Sequence, residues 1–330
     1  MTKLNNRELK ARGAALAGDY REGNRGIVLL YCGVIAALSL GSNGLHMLLD
    51  SQIGQTGGLS GMGMRSVLQT VQEVLSYLNS FFTPFWSAGF LYAMLAMVRG
   101  RAPVTGDLTA GFRRFGRVLG HMAFQVLLTV ALLMSVVNLA AVIFSFSPMG
   151  ARFAEQMGPV LTDPNLIAAD GTVDLSLIPL DALKTAAIPM VLITAALFLP
   201  VYTFLNYGFR LSMYLVLERP IGGVRAHFES MRLMRGHKWQ MLTLDLSFWW
   251  YYLLGVGVSV IGYLDVILAM LGISLPMNDT VMFFATLIAY CVLYTLVCLW
   301  KKCDVDAAYV LAFEAIAHPE QEDAPAEMEV

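Results

Sequence analysis

Long apolar runs alternate along this chain with short segments that carry most of its charge. A helix needs about 20 predominantly apolar residues to cross the roughly 30 Å hydrocarbon core of a bilayer. Six runs reach that length, at 26–47, 74–98, 118–146, 186–207, 242–263 and 280–300. Their central portions contain no Asp, Glu, Lys or Arg. The pattern predicts an all-α, polytopic membrane bundle with six transmembrane helices.

Composition supports lipid as the main solvent of the chain. Hydrophobic residues make up 57% of the sequence and charged residues 14%, against roughly a quarter charged in a soluble domain. A soluble all-α protein does not explain why the charges gather between the runs. A β-barrel needs short alternating segments, and these runs are continuous. The spacing of the four cysteines indicates no disulfide framework and no metal site, and we expect no cofactor.

The distribution of basic residues predicts the orientation. Nineteen of the 22 Lys and Arg residues fall on one side of the six runs, and the other side has Arg65, Arg152 and Lys184. The positive-inside rule then places both termini in the cytoplasm. The resulting domains are a cytoplasmic N-terminal amphipathic segment (1–25), a six-helix membrane domain (26–317, with an external loop at about 147–185) and a disordered acidic tail (318–330).

Three inner segments share apolar residues spaced three or four apart beside arginines. The three stripes are Val224, Phe228 and Met231; Leu108, Phe112, Phe115 and Leu119; and Leu9, Gly13 and Leu16. They predict cytoplasmic amphipathic helices before the first, third and fifth transmembrane helices, at the headgroup boundary. Gly236 is placed to end the last of them. Either a helical unit is repeated internally, or each join evolved the same features separately.

These inner segments make anionic lipid headgroups the expected partner. The candidate lipid-contacting residues are Arg113, Arg114, Arg117, Arg225, Arg232, Lys238 and Trp239. Replacing Arg113, Arg114, Arg225 and Arg232 with Gln is expected to weaken binding to anionic liposomes. A protein partner and a homo-oligomer both stay open, and nothing in the sequence indicates nucleic-acid binding.

Five polar residues are candidates for a structural or functional role: His121, His237, Asp245, Asn138 and Asn206. His121 and His237 stand at equivalent joins, where they either form a ligand-contacting pair or bond separately to headgroups and carbonyls. Asp245 is placed to pair with a nearby basic side chain. The two asparagines are interpreted as interhelical hydrogen-bonding groups, with substrate contact as the alternative.

Three stretches carry a resemblance to a known family: "LKARGAALAGDYREGN", "VRGRAPVTGDLTAGFRRFGRVL" and "ESMRLMRGHKWQMLTLDLSFWWYYLLG". The sequence resembles the bacterial membrane proteins of the family domain of unknown function 975, over most of 4–317. No catalytic signature defines that family, so the resemblance implies an architecture and no active residue. The "SMRLMRGHKW" join is also similar, more weakly, to the membrane domain of some glycerophosphodiester phosphodiesterases.

Three functions are consistent with the sequence. We expect a non-enzymatic scaffold or regulator of a membrane process in the bacterial cytoplasmic membrane. The alternative is a transporter or permease component that moves a small solute, with a cavity formed by kinked helices. A lipid-modifying enzyme requires a cluster of carboxylates and histidines at headgroup depth.

Overall fold

The fold of the chain is all-α, as the sequence predicts. A computed structural model describes residues 5–55, 59–161, 180–264, 267–268 and 279–319. These residues form helices and no β-strand. Most of the predicted acidic tail and the middle of the predicted external loop lie outside the described residues.

The described helices fall into two compact units, residues 1–121 with 211–330 and residues 122–210. They are, in chain order, α1 (Asn6–Asp19), α2 (Arg21–Gln55), α3 (Leu59–Val98), α4 (Ala110–Arg113), α5 (Phe115–Ser145), α6 (Pro148–Leu161), α7 (Leu180–Phe209), α8 (Ser212–Glu218), α9 (Gly223–Leu233), α10 (Lys238–Ser247), α11 (Trp249–Gly262), α12 (Asp279–Val297) and α13 (Cys303–Ala317). A 3₁₀ turn (Thr105–Thr109) precedes α4, and a π-helical turn (Cys298–Lys302) joins α12 to α13.

Five helical segments in the described residues are long and apolar enough to cross a membrane. They are Arg21–Leu45, Ser76–Val98, Phe115–Ser145, Ala186–Glu218 and Val281–Ala317. The predicted fifth span is not one straight helix, because α10 and α11 meet at a 62° bend. If this bent pair crosses as one span, the total is six.

The core of the larger unit surrounds α13, which follows the last predicted span. Ala308, Val310, Ala312 and Phe313 are all buried, so α13 is enclosed on several sides, as a helix that is apolar all round must be. The sequence places the end of the last helix at residue 300, but helical structure continues through the π-helical turn to Ala317.

The inner segment before the third span differs from the predicted amphipathic helix. The backbone forms the 3₁₀ turn and the single-turn α4, and α5 begins after a break at Arg114. Leu108 is fully buried rather than exposed at the headgroup boundary. The short elements bring the backbone of Leu108 close to that of Gly89 in α3, and a continuous helix would not follow that path.

Helix α1, predicted to precede the first span, buries one face in the protein. Leu9, Gly13 and Ala17 are buried, and Gly13 lies against the backbone of Ala308 in α13. Asn6 Nδ2 donates a hydrogen bond to Thr243 Oγ1 in α10 at 2.8 Å. These contacts connect the N-terminal segment to the C-terminal helix.

The smaller unit contains most of α5, α6 and α7. α6 follows α5 after a short turn, where the Gly150 N–H donates to Ser147 Oγ at 3.0 Å. The rings of Phe144 and Phe153 then meet with centroids 6.2 Å apart. The first part of the predicted external loop is therefore helical.

Candidate functional site

Helix α9 buries its small residues and exposes its large ones. Gly223, Ala226, His227 and Ser230 face the protein. Ser230 Oγ also accepts a hydrogen bond from the Leu211 N–H at 3.1 Å, which fixes α9 beside the start of α8. Small residues on the buried face allow the neighbouring backbone to approach closely.

The opposite face of α9 combines apolar and basic side chains. Val224 and Phe228 are 45% and 62% exposed, and Arg225 and Arg232 are exposed beside them. Arg225 Nε lies 3.1 Å from Glu229 Oε1 in an i,i+4 ion pair, which leaves the Arg225 side chain 75% exposed. The predicted apolar stripe thus points away from the protein core.

The buried face of α9 brings His227 into contact with His121. The His121 and His227 rings stack with centroids 4.3 Å apart and an interplanar angle of 22°. The approach requires glycine at position 223, since a Cβ there would lie 2.1 Å from the backbone nitrogen of His121. The structure therefore pairs His121 with His227 and not with His237, whose Nδ1 donates to Gln240 Oε1 at 2.8 Å.

The burial of His227 predicts a loss of stability in acid. Burial lowers the pKa of His227, although its hydrogen bond to the Gly223 carbonyl acts in the opposite direction. Below about pH 6.5 the unfolded chain binds a proton that the folded state resists. We expect the thermal midpoint in detergent to fall between pH 7 and about 5.5, with a smaller fall in His227→Gln. The half-buried His237 is the matched control. If His237→Gln reduced the fall of the thermal midpoint as much as His227→Gln does, the acid sensitivity would not come from His227.

The predicted lipid-contacting residues divide into two groups. Arg113, Arg225, Arg232 and Trp239 are exposed, and Trp239 is 73% exposed. The remaining three, Arg114, Arg117 and Lys238, are half-buried. Exposure at a predicted headgroup boundary is required of a lipid contact, so the first group fits that role better.

Arg114 and Arg117 make contacts within the protein. The Arg114 guanidinium lies 4.4 Å from the centroid of the Tyr92 ring. Arg117 Nη1 donates hydrogen bonds to the carbonyl oxygens of Arg219, at 2.8 Å, and Val216, at 3.4 Å. Arg117 therefore caps the C-terminal end of α8, a structural role that the sequence does not predict.

Asp245 and Asn138 also bond within the protein. Asp245 accepts a hydrogen bond from the Tyr309 hydroxyl, which lies 2.6 Å from the Tyr252 hydroxyl. Asn138 Nδ2 donates to the Met134 carbonyl in its own helix at 2.7 Å, rather than to another helix as expected. Asn206 is exposed on α7. The five polar candidates thus do not form one site.

A cluster of ionisable side chains, which we call the Arg99 clamp, joins the ends of α3, α8 and α13. Its members are Arg99, Glu218, Glu314 and His318. Arg99 Nε donates to Glu314 Oε1 at 2.8 Å, and Arg99 Nη2 pairs with Glu218. His318 Nε2 lies 2.9 Å from Glu218 Oε1. Burial acts to lower the pKa of Arg99, but its hydrogen bonds to Glu314 and Glu218 outweigh burial and raise it.

The Arg99 clamp also contains a set of side chains with the chemistry of a metal site. Ligand atoms of Glu218, Glu314 and His318 lie within 4.8 Å of one another, and carboxylate and imidazole are common ligands of transition metals. A cation there would have to displace the guanidinium that pairs with both carboxylates. The geometry therefore fits an ion-pair clamp between helix ends.

Neither the His121–His227 pair nor the Arg99 clamp follows from the sequence pattern. The clamp unites residues that are more than 100 positions apart, such as Arg99 with Glu314, and no short motif signals such a contact. His227 falls within the predicted inner helix. The predicted apolar face was defined by Val224 and Phe228, so it did not include His227. The signal available was the run of small residues on the other side of α9.

The long apolar helices indicate a membrane-embedded, all-α protein. The family described as "Protein of unknown function (DUF975)" matches residues 45–295. The chain belongs to this family, as the resemblance in its sequence implies. No curated protein and no solved structure matches the chain.

Proposed function

We propose that this chain is a six-span protein of the bacterial cytoplasmic membrane that binds anionic lipid on its inner face. Both termini lie in the cytoplasm, as the distribution of Lys and Arg favours. The protein acts as a non-enzymatic scaffold or regulator of a membrane process. The exposed face of α9 is the observation that carries the proposal.

The composition of that face matches the boundary between headgroups and acyl chains. Phe228 and Val224 are large, apolar and exposed, so water is an unfavourable neighbour for them. Arg225 and Arg232 flank them and can reach headgroup phosphates. The exposed Trp239 follows at the start of α10, and Trp is enriched at membrane interfaces.

Lipid preference can be tested with Arg225→Gln and Arg232→Gln combined in the full-length protein. Each cation near an anionic surface contributes about 1 kcal/mol, so we expect phosphatidylglycerol to bind roughly tenfold to thirtyfold more weakly. The measurement is native mass spectrometry of protein released from nanodiscs that contain phosphatidylglycerol and phosphatidylcholine.

Two control variants separate charge from other effects. The double Lys variant at positions 225 and 232 keeps both charges and is expected to retain phosphatidylglycerol. Arg152→Gln removes an exposed charge from α6, on the predicted external side, and should leave retention unchanged. Unaltered lipid preference in the double Gln variant would remove α9 from the proposal.

The bend between α10 and α11 favours a second candidate, a transporter or permease component. Broken helices in transporters bring free backbone groups to a binding site at membrane depth. At this break the Ser247 carbonyl oxygen accepts a hydrogen bond from Lys10 Nζ at 2.9 Å, so a solute that binds there would have to share or replace that donor. The test is solute binding to the protein in nanodiscs. A solute whose affinity falls in Lys10→Met would place transport first.

A further inference from the structure

A groove lies between α1 and α2 on one side and α12 and α13 on the other. Its volume is about 590 Å³, within the range of about 300–1,000 Å³ that is usual for ligand sites. Arg21, Arg25 and Leu29 line it from α2. They stand four residues apart, so they share one face of the helix.

The walls of the groove change from polar to apolar in the same direction. Along α2, the two arginines come before Leu29, whereas Leu296 and Trp300 come before Asp304 on the opposite wall. The two walls are antiparallel, since Lys302 Nζ lies 5.4 Å from the Tyr31 ring and Phe284 lies beside Gly44. Asp304 therefore lies nearer to the arginine end of the groove than Trp300 and Leu296 do.

The charged end of the groove carries two arginines that are available to bind a ligand. Arg21 and Arg25 are exposed, and neither forms an ion pair with another described residue. Asn24 also lines the groove and is only 4% exposed, yet its Oδ1 has no hydrogen-bond partner among the described residues. Arg21 and Arg25 are thus the side chains at this end that can bind an anionic ligand.

The apolar end of the groove is open to the surroundings of the protein. Leu29 is 51% exposed and Trp300 is 59% exposed. Both lie within candidate membrane spans, where an exposed apolar side chain can face lipid. A chain of methylene groups can pack along this wall without leaving the bilayer. Trp300 has the amphipathic ring that prefers the level of the headgroups.

We propose that this groove binds a single phospholipid, with its phosphate held by Arg21 and Arg25 and one acyl chain along Leu29, Leu296 and Trp300. Guanidinium groups bind phosphate oxygens through paired, charge-assisted hydrogen bonds. The inference deepens the proposed function by naming a specific lipid site, separate from the surface of α9.

The test uses the full-length protein in detergent and titrates phosphatidylglycerol, with native mass spectrometry to count bound lipids. Wild type is expected to hold one lipid more tightly than the rest. Arg25→Gln should weaken that lipid at least about tenfold, the effect of losing a charge-assisted hydrogen bond. Arg25→Lys should restore part of the affinity. Arg7→Gln is the matched control, because it removes an exposed arginine from α1 outside the groove.

A second variant tests the groove without changing its charge. Ala14 lines the cavity on an exposed position of α1, so Ala14→Trp fills the space and should also remove the tight lipid. Retention of that lipid in Ala14→Trp, or in Arg25→Gln, overturns the assignment of the groove. Unchanged thermal midpoints without lipid establish that each variant is folded.

The source of the phosphate is decided by a soluble competitor. Glycerol 1-phosphate carries the phosphate without acyl chains, and we expect it to displace phosphatidylglycerol only at much higher concentration. Equal affinity for the two would overturn the lipid assignment in favour of a soluble phosphate ester. The proposed function on α9 is tested separately by Arg225 and Arg232, so the failure of one does not imply the failure of the other.

Discussion

Gly89→Ala is expected to destabilise the protein by about 2–3 kcal/mol, the upper range for overpacking of a rigid core. A Cβ at position 89 would lie 1.9 Å from the carbonyl oxygen of Leu108 and 2.4 Å from its carbonyl carbon. No rotation of a side chain can relieve this clash, because the atoms belong to the backbone of the 3₁₀ turn. Either α3 or that turn must move.

The neighbouring contact makes movement costly. Gly111 in α4 stands in the same relation to Phe85 in α3, where a Cβ would lie 2.1 Å from the carbonyl oxygen. The Phe85 ring is buried and stacks on Phe115 with centroids 5.0 Å apart. A shift that makes room at Gly89 therefore disturbs the aromatic packing one turn away.

The measurement is the thermal midpoint in detergent, with Gly33→Ala as the control. Gly33 lies within α2 and has no atom within 4 Å of the position that a Cβ would take. Alanine is favoured over glycine in a helix by about 1 kcal/mol, so the control should be neutral or slightly more stable. Equal midpoints for the two variants would show that the turn is not held tightly against α3.

The positions of the spans were predictable because bilayer thickness sets a length that the sequence must meet. Five of the predicted runs coincide with candidate spans, and the sixth coincides with the bent pair α10 and α11. The bend itself leaves no simple trace, since Phe248 at the break lies within a run of aromatic residues. Hydropathy measures average polarity, and it carries little information about the direction of a helix axis.

The buried side of α9 was less predictable for a physical reason. The predicted stripe through Val224 and Phe228 was assigned to the headgroup boundary, but that assignment does not say which residues of the helix contact the protein. At a membrane boundary, lipid can receive those side chains, so small residues such as Gly223 and Ala226 are left to make the close protein contact. The apolar stripe was predictable, but the interior partner that includes His227 was not.

The role of α13 was hidden by the charges at its start. Lys301, Lys302, Asp304 and Asp306 follow the last apolar run and indicate the end of a span. In the structure they neutralise one another, with Lys301 2.7 Å from Asp304 and Lys302 2.9 Å from Asp306. The Lys302 ammonium also lies 4.6 Å from the centroid of the Phe90 ring. Paired in this way, the charges allow the helix to continue into the core.

That arrangement predicts a large effect for Phe313→Ala, a loss of about 3–5 kcal/mol in unfolding free energy. Phe313 is fully buried in α13, and its ring stacks on Tyr214 of α8 with centroids 5.1 Å apart. It also meets the His318 ring edge-on at 6.3 Å. Truncation leaves a cavity where α8, α13 and the Arg99 clamp come together, and rigid helices cannot collapse to fill it.

Phe228→Ala is the matched control for this prediction, because it removes the same side chain from the exposed face of α9. Its thermal midpoint in detergent should stay within a few degrees of wild type, whereas Phe313→Ala should fall much further. A small change in Phe313→Ala would mean that α13 is peripheral to the folded unit. A large change would establish that the segment after the last predicted span packs into the core of the folded unit.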